Sequence, residues 1–406
     1  MTLTKIRQKF NRPKINEEQI EEVVRQQMTA SGVVIAQGAN IALAVGSRGI
    51  VNLKRIVKAA AEWVNAQGGE PFIVPAMGSH GGATAEGQRA VLEGYGVTEA
   101  YIGAPMRSSM EAVELPRGEL QHPVYMDKYA CESDGIILIN RVKVHTDYHG
   151  AIESGLMKMA VIGLGKHRQA LAIHGYGLRG LKELLVPTAR QVLQSGKILL
   201  GVAIAENAYD ETAQIRALRP AEIEREEMQM LDWVKTNMPK LPVRQIDALI
   251  VDEFGKDISG VGIDPNIIGR IKIPGEPEPE YPDITSIILL DLTDASHGNA
   301  IGMGLADIIT RRVFDKIDFR ATYENVVTSS FLDRGFIPII VDDERTGLAY
   351  ALRSRGRADL NRPRIIRMKN SLHLEELWVS QAILEELRGR DNIEITDETQ
   401  ELNNNE

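Results

Sequence analysis

The segment from Val144 to His174 reads VHTDYHGAIESGLMKMAVIGLGKHRQALAIH and gathers groups able to move protons or hold a metal. It holds four of the chain's eight histidines: His145, His149, His167 and His174. Lys158 stands among apolar and small residues with imidazoles on either side. An amine in that setting points to a covalent or electrostatic anchor beside a metal ligand or a general base. Imidazole changes charge near neutral pH, so either His145 or His149 suits acid/base work. The two are four residues apart, but Gly150 and the lack of a helical period make chelation by the pair a weak reading. The plainer reading of Lys158 is an ion pair with Glu153 or Asp147. The GLG at 163–165 is only a fragment of a dinucleotide fingerprint and is discounted.

Three further loops carry chemistry. His80 lies in GSHGGAT, where glycines let the backbone approach a ligand and the following helix start offers free N–H groups to an anion. Arg48, in GSRGI, is suited to clamping a carboxylate with two parallel hydrogen bonds. GKDISGVGIDPNIIGR (255–270) supplies Lys256, Asp257, Asn266 and Arg270, although turn chemistry explains its glycines and proline equally well. His297 is a loop histidine with less context.

Elements that place these loops follow from periodicity. A helix over 15–29, a buried strand over 40–46 and a helix over 51–68 ending at Gly68–Gly69 come first. A strand EPFIVPAM, a helix opened by Thr84 as N-cap and a strand over 134–142 follow. GSRGI, GSHGGAT and RVKVHTD each come directly after a strand. Residues 213–236 read as a long helix, and the two prolines of TNMPKLPVRQ mark a linker. A second α/β unit begins at 246, with strands over 286–294 and 336–343, a helix over 373–387 and a loosely held acidic tail from Arg388. The expected organisation is 1–240 as an α/β cofactor-binding and catalytic domain, 241–372 as a second α/β domain, and 373–406 as a C-terminal helix and tail. Strands alternating with helices give mostly parallel sheets, which bind ligands at their carboxyl ends; the active site is expected in the cleft between the domains.

With 406 residues the chain has room for two sizeable cores, and 43% hydrophobic with 25% charged residues is ordinary for a globular protein. A net charge of −9 argues against nucleic acid or an anionic membrane as partner. No apolar run is long enough to span a bilayer, and the N-terminal residues lack a secretory h-region. The single cysteine, Cys131, excludes an internal disulfide and a cysteine-rich metal site within one chain, so a reducing cytoplasm is the expected compartment.

Together these residues resemble the lactate racemase family, whose enzymes use a nickel-pincer nucleotide. That cofactor is a pyridinium mononucleotide with two sulfur-containing arms, one joined to a lysine, its nickel held by two sulfurs, a ring carbon and a histidine. The resemblance makes Lys158 the cofactor-bearing lysine, in the setting Ser154–Gly155–x–x–Lys158, and makes His174, sixteen residues on, the nickel ligand. It assigns His80 and His145 as the acid/base pair and Arg48 as the arginine after the first strand. Lys256, Asn266 and Arg270 fall where the second domain would contact a substrate carboxylate. The chain departs from the pattern in having Val144 before His145 instead of proline, in a longer gap from His145 to Lys158, and in lacking an acidic residue at 45–47; His149 therefore competes with His145. The implied reaction is racemisation or epimerisation of a 2-hydroxy acid by reversible hydride transfer, one histidine serving each face, which avoids a dianionic carbanion.

Lactate, longer hydroxy acids, malate-like diacids and sugar acids all remain open as substrates, with loops 101–125 and 255–300 deciding. The expected partners are that small molecule and the enzymes that build the cofactor, with homo-oligomerisation open. Two other readings stand beside this one. One is a metal-dependent hydrolase or lyase using His80, His145 and His174; the other is a non-catalytic nucleotide- or anion-binding protein.

Overall fold

A computed structural model describes residues 1–46, 49–329, 331–354 and 361–402. The chain forms two compact units, one of Asn11–Met238 and one of Met1–Phe10 with Pro239–Glu406. The break falls within TNMPKLPVRQ. Two expected boundaries need correction: the first ten residues leave the 1–240 domain, and 373–406 is no separate tail.

The Asn11–Met238 unit is built on β1 (Asn40–Val45), β2 (Glu70–Pro75), β3 (Gly135–Arg141), β4 (Ile198–Glu206) and β5 (Thr212–Leu218). They lie in the order β2-β1-β3-β4-β5, parallel except for β5, which runs against β4. Ile41 to Val45 are all buried, because a strand covered on both faces must be apolar throughout. Ile41, Leu43 and Val45 point to one face, among the buried residues of the helices Ile20–Ala30 and Leu53–Ala66. Ala42 and Ala44 point to the other, with Leu156, Met157, Val161 and Ile173. Leu53, Ile56, Val57, Ala60 and Val64 form the apolar stripe that seats the second of those helices.

The chain passes from β1 outward to β2, then returns across β1 to β3, so the winding reverses between β1 and β3. Val45 is in register with both Pro75 and Ile139. The loops after β1, β2 and β3 therefore leave the sheet at one level, where open α/β sheets hold ligands. Residues 212–218 are a strand and not the start of a long helix. Pro220 opens the helix Pro220–Asn237 and pushes Arg219 into extended backbone, φ −68° and ψ 156°.

In the other unit, Gln245–Val251, Asp283–Leu289, Ile308–Thr310, Ile339–Val341 and Ile365–Met368 are the parallel strands of an eight-stranded sheet. Glu376–Val379, Thr2–Gln8 and Ile393–Glu401 extend it antiparallel. The expected helix over 373–387 is a strand, Glu376–Val379, and a helix, Gln381–Leu387. Leu377 and Val379 are buried two apart, the spacing of a strand. The acidic tail forms a strand whose glutamates meet cations on the first strand: Lys5 pairs with Glu398, and Arg7 with Glu394 and Glu398. Among the described residues no helix is long and apolar enough to cross a membrane.

Candidate active site

The loop after β3 is folded around one buried carboxylate. Lys143 and Ser154 close its neck, with N–H···O distances of 2.8 and 3.2 Å. Inside, Glu153 Oε2 accepts from the His145 N–H at 2.7 Å and Oε1 from the Gly150 N–H at 3.1 Å. Lys235 Nζ lies 2.8 Å from Oε1, and His149 Nδ1 lies 3.6 Å from Oε2. Burial alone would raise the Glu153 carboxyl, but these donors outweigh it and hold it below its ordinary value. Tyr148 donates to the Glu153 carbonyl at 2.9 Å and stacks on His145 with ring centres 4.6 Å apart. Burial pushes the Tyr148 phenol up, so it stays protonated.

This loop treats its two histidines differently. His149 is exposed and faces Glu153. His145 is buried; its Nδ1 accepts the Asp147 N–H at 3.0 Å, and its Nε2 is hydrogen-bonded to Lys158 Nζ.

Lys158 ends a short helix, Leu156–Lys158, that runs into a π-helical turn, Met159–Gly163. Such turns cluster at functional sites because the extra residue re-aims neighbouring side chains. Leu156, Met157, Met159, Ala160 and Val161 are buried, whereas Lys158 is half-buried. The helix start is clamped from behind: Asn140 Nδ2 donates to the Gly155 carbonyl at 2.9 Å and Glu227 Oε2 accepts the Met157 N–H at 3.0 Å. A Cβ at Gly155 would lie 2.4 Å from the Glu227 carboxyl carbon, so this position admits only glycine. Glu227 is fully buried, and burial pushes its pKa up to about 7.

β2 leads into the loop that carries His80, and the start of that loop meets the π-helical turn. Gly78 N–H donates to the Gly163 carbonyl at 3.3 Å, and a Cβ at Gly163 would lie 2.7 Å from the Ala76 oxygen. The glycine pair in GLGK thus serves close backbone approach. Lys166, fully buried with φ +57°, reaches Pro75 O at 2.5 Å, Gln88 Oε1 at 2.9 Å and Asp127 Oδ2 at 3.3 Å. Gln88 in turn donates to the Gly78 and His80 carbonyls at 2.8 and 3.3 Å, fixing the backbone from which the half-buried His80 projects.

His174 closes the helix Lys166–His174. Solvent reaches the residue, yet surrounding protein lowers its pKa, the Lys158 charge lowers it further, and Asp147 opposes both. His174 is therefore within electrostatic range of Lys158 and neutral near pH 7, the form that binds metals. Arg48 lies outside the described residues. The far side of its loop is tied down by Glu206, which accepts the Val51 N–H at 2.8 Å and pairs with Arg141.

In the other unit the expected substrate contacts have partners within their own unit. Lys256 Nζ donates to Gly260 O at 2.7 Å, and Asn266 Nδ2 donates to Asp264 Oδ1 at 3.0 Å. Arg270 is buried, with its guanidinium on Asp307 at 2.6 Å and on the carbonyls of Leu305, Ile284 and Thr285. Its expected role as a carboxylate contact gives way to a structural one, because its donors already have acceptors. His297 is an exposed residue capping a turn at φ +48°.

Glu227, Lys166 and Asn140 were not singled out by sequence reasoning, and Glu153, named there only as an ion-pair partner for Lys158, pairs with Lys235. Glu227 had a signal, since it lies on the apolar stripe Ile223, Met230, Leu231 and Val234. Lys166 had none, because its burial depends on Asp127 and Gln88, remote in sequence. Among the described residues no group of three or more His, Cys, Asp and Glu side chains is placed to hold a metal.

No protein-family model matches the chain, and no curated protein matches it. Among solved structures it is similar to a Thermotoga maritima protein, at 12% identity over 70% of this chain and 72% of that one, TM-score 0.48. It is also similar to the lactate racemase apoprotein of Thermoanaerobacterium thermosaccharolyticum, at 13% identity over 82% of this chain and 83% of that one, TM-score 0.48.

Proposed function

We propose that this chain is a racemase or epimerase of a small 2-hydroxy acid that works with a lysine-linked nickel-pincer nucleotide. One observation carries the reading: the Lys158 amine lies against the His145 imidazole, in electrostatic range of His174, beside the reversal of strand order. This donor set fits the cofactor, since an amine is what an acyl arm needs and a neutral imidazole suits nickel whose sulfur ligands come from the nucleotide. Lys158 would carry the nucleotide, His174 would ligate its nickel, and the Ser154–Gly155 turn would shape the seat. When bound, the cofactor would supply an electrophilic ring able to accept hydride reversibly.

The chain's own residues do the rest. His80, from the loop after β2, and His145, from the loop after β3, hold and return the hydroxyl proton, one for each face of the planar carbon. The Asp147 N–H on Nδ1 and Lys158 on Nε2 fix the orientation of the His145 ring. His149, exposed and turned to Glu153, is not that base. Arg48 is assigned the substrate carboxylate. The working partners are the hydroxy acid and the enzymes that make the cofactor, in a reducing cytoplasm.

A metal-dependent hydrolase or lyase ranks second, because both ring nitrogens of His145 already have hydrogen-bond partners and the described residues offer no three-ligand group. The test is intact mass and nickel analysis of protein made together with the cofactor-building enzymes. The expected result is an adduct on Lys158 with about one nickel per chain, the single-site ratio of one histidine ligand. Lys158→Ala should abolish loading, whereas His80→Ala should load yet lose roughly 10²–10⁴-fold in turnover. Unmodified protein under these conditions would overturn the reading.

A further inference from the structure

Exposed apolar side chains gather in one stretch of the unit that holds Pro239–Glu406. Tyr323, Val327, Leu332, Phe336, Ile337 and Ile339 are all exposed, Val327 at 64% and Phe336 at 62%. Folded chains usually scatter such residues singly, and a cluster marks a surface that another molecule covers. The helix Phe319–Ser329 shows how the cluster is built. Its Thr322 and Val326 are buried, whereas Arg320, Tyr323, Glu324 and Val327 are exposed. Positions spaced by three and four share a helix face, so these four form one stripe. The turn Leu332–Gly335 packs beside this helix: a Cβ at Gly335 would lie 3.0 Å from Val326. That turn leads into Phe336, Ile337 and the strand Ile339–Val341. The strand ends the eight-stranded sheet, so no further strand of the described sheet lies beyond Ile339.

Charge identifies the occupant. The chain carries a net charge of −9, so two copies repel unless they meet where the local charge is balanced. The stripe is balanced: it holds one cation, Arg320, and one anion, Glu324, a turn apart. Neither meets an opposite charge among the described residues, and arginine before glutamate is the weaker order for a pair within one helix. A two-fold axis through the stripe reverses that order. It sets each Arg320 against the second copy's Glu324 and closes Tyr323 and Val327 between the helices. A surface that complements itself is what an isologous dimer requires. The apolar content agrees, because homodimer interfaces are more apolar than those of transient partners. A strongly acidic or basic partner would find no field of one sign to follow here.

We infer that this face joins two copies of the chain in a symmetric dimer. The helices Phe319–Ser329 run antiparallel across the axis, with Leu332, Phe336 and Ile339 forming the apolar surround. The dimer does not depend on the chemistry proposed above.

The experiment measures the mass of the purified full chain by sedimentation equilibrium over a range of concentrations. The expected result is a dimer, alone or in equilibrium with monomer. Phe336→Asp puts a charge into the apolar surround and should weaken the dimer at least about a hundredfold. Phe336 is exposed in the single chain, so its replacement leaves the fold in place, which circular dichroism checks. Arg320→Glu and Glu324→Arg each set like charges together at both symmetric contacts, and each should raise the dissociation constant about tenfold. Combining the two substitutions restores opposite charges and should return the constant to within about threefold of the parent. Loss of fold cannot mimic that rescue. A chain that stays monomeric at high micromolar concentration overturns the inference. So does a dimer that ignores all three single substitutions, or a double variant as weak as either charge reversal alone.

Discussion

At the carboxyl ends of β1 and β3 an amine meets an imidazole; at the matching ends of Gln245–Val251 and Ile365–Met368 acids meet their counterions. Both sheets are parallel at these strands, and in both the strand order reverses there. In the second, Arg367 donates to Asp252 at 2.7 Å and to Glu344 at 3.2 Å, and Asn370 donates to Glu253 at 2.9 Å. Burial raises the Asp252 and Glu344 carboxyls, and the Arg367 charge opposes it. In the first, Lys158 and His145 are both bases, and the buried carboxylates nearby are turned to the backbone: Glu153 gathers the His145 loop and Glu227 holds the Lys158 turn. One topology thus carries opposite charges at one set of strand ends and two nitrogen bases at another, and the side chains left there make the difference.

The contrast breaks most severely at Lys166. Lys166→Ala strands the fully buried Asp127 and releases Pro75 and Gln88, so unfolding in urea should show a loss of about 3–5 kcal/mol. A loss under about 1 kcal/mol would mean that the His80 loop does not depend on this ion pair.

Glu227 should show a smaller and pH-dependent effect. Its folded pKa of about 7 lies above the ordinary 4.5, so between those values the native state keeps a proton that the unfolded chain releases. Stability should therefore fall as pH rises from about 4.5 to about 7, by about 3 kcal/mol in all, and stay lower above that. Glu227→Gln keeps an acceptor for the Met157 N–H and cannot ionise. Its melting temperature should exceed that of the parent at pH 8 and match it at pH 4.5; identical pH profiles would remove Glu227 from the account.

Asp252→Asn sharpens the comparison from the other side. This pair is partly exposed, so stability to urea should change by no more than about 1 kcal/mol. A loss above about 3 kcal/mol would show that the pair behaves as a buried one.

Much of the fold was legible because it rests on local patterns. NIALAV announced a strand buried on both faces, and the stripe in LKRIVKAAAEWVNA announced its helix. TNMPKLPVRQ marked the break between units. The failures have local reasons as well. TAQIRAL carries no strong strand pattern and became one by pairing with β4. The polar tail became a strand because Thr2–Gln8, nearly four hundred residues earlier, brought the cations it lacked.

Residue type and setting by themselves singled out Lys158, His145 and His80 as candidates, and the family resemblance added His174, since an amine or imidazole among glycines and apolar neighbours is rare without a task. They could not say which of His145 and His149 faces the amine, that Arg270 is bound to Asp307, or that Glu153 and Glu227 hold the loop and the turn. Those outcomes depend on which donors find which acceptors after burial. Burial makes an unmet polar group costly, and only the packed chain decides who is near enough to meet it.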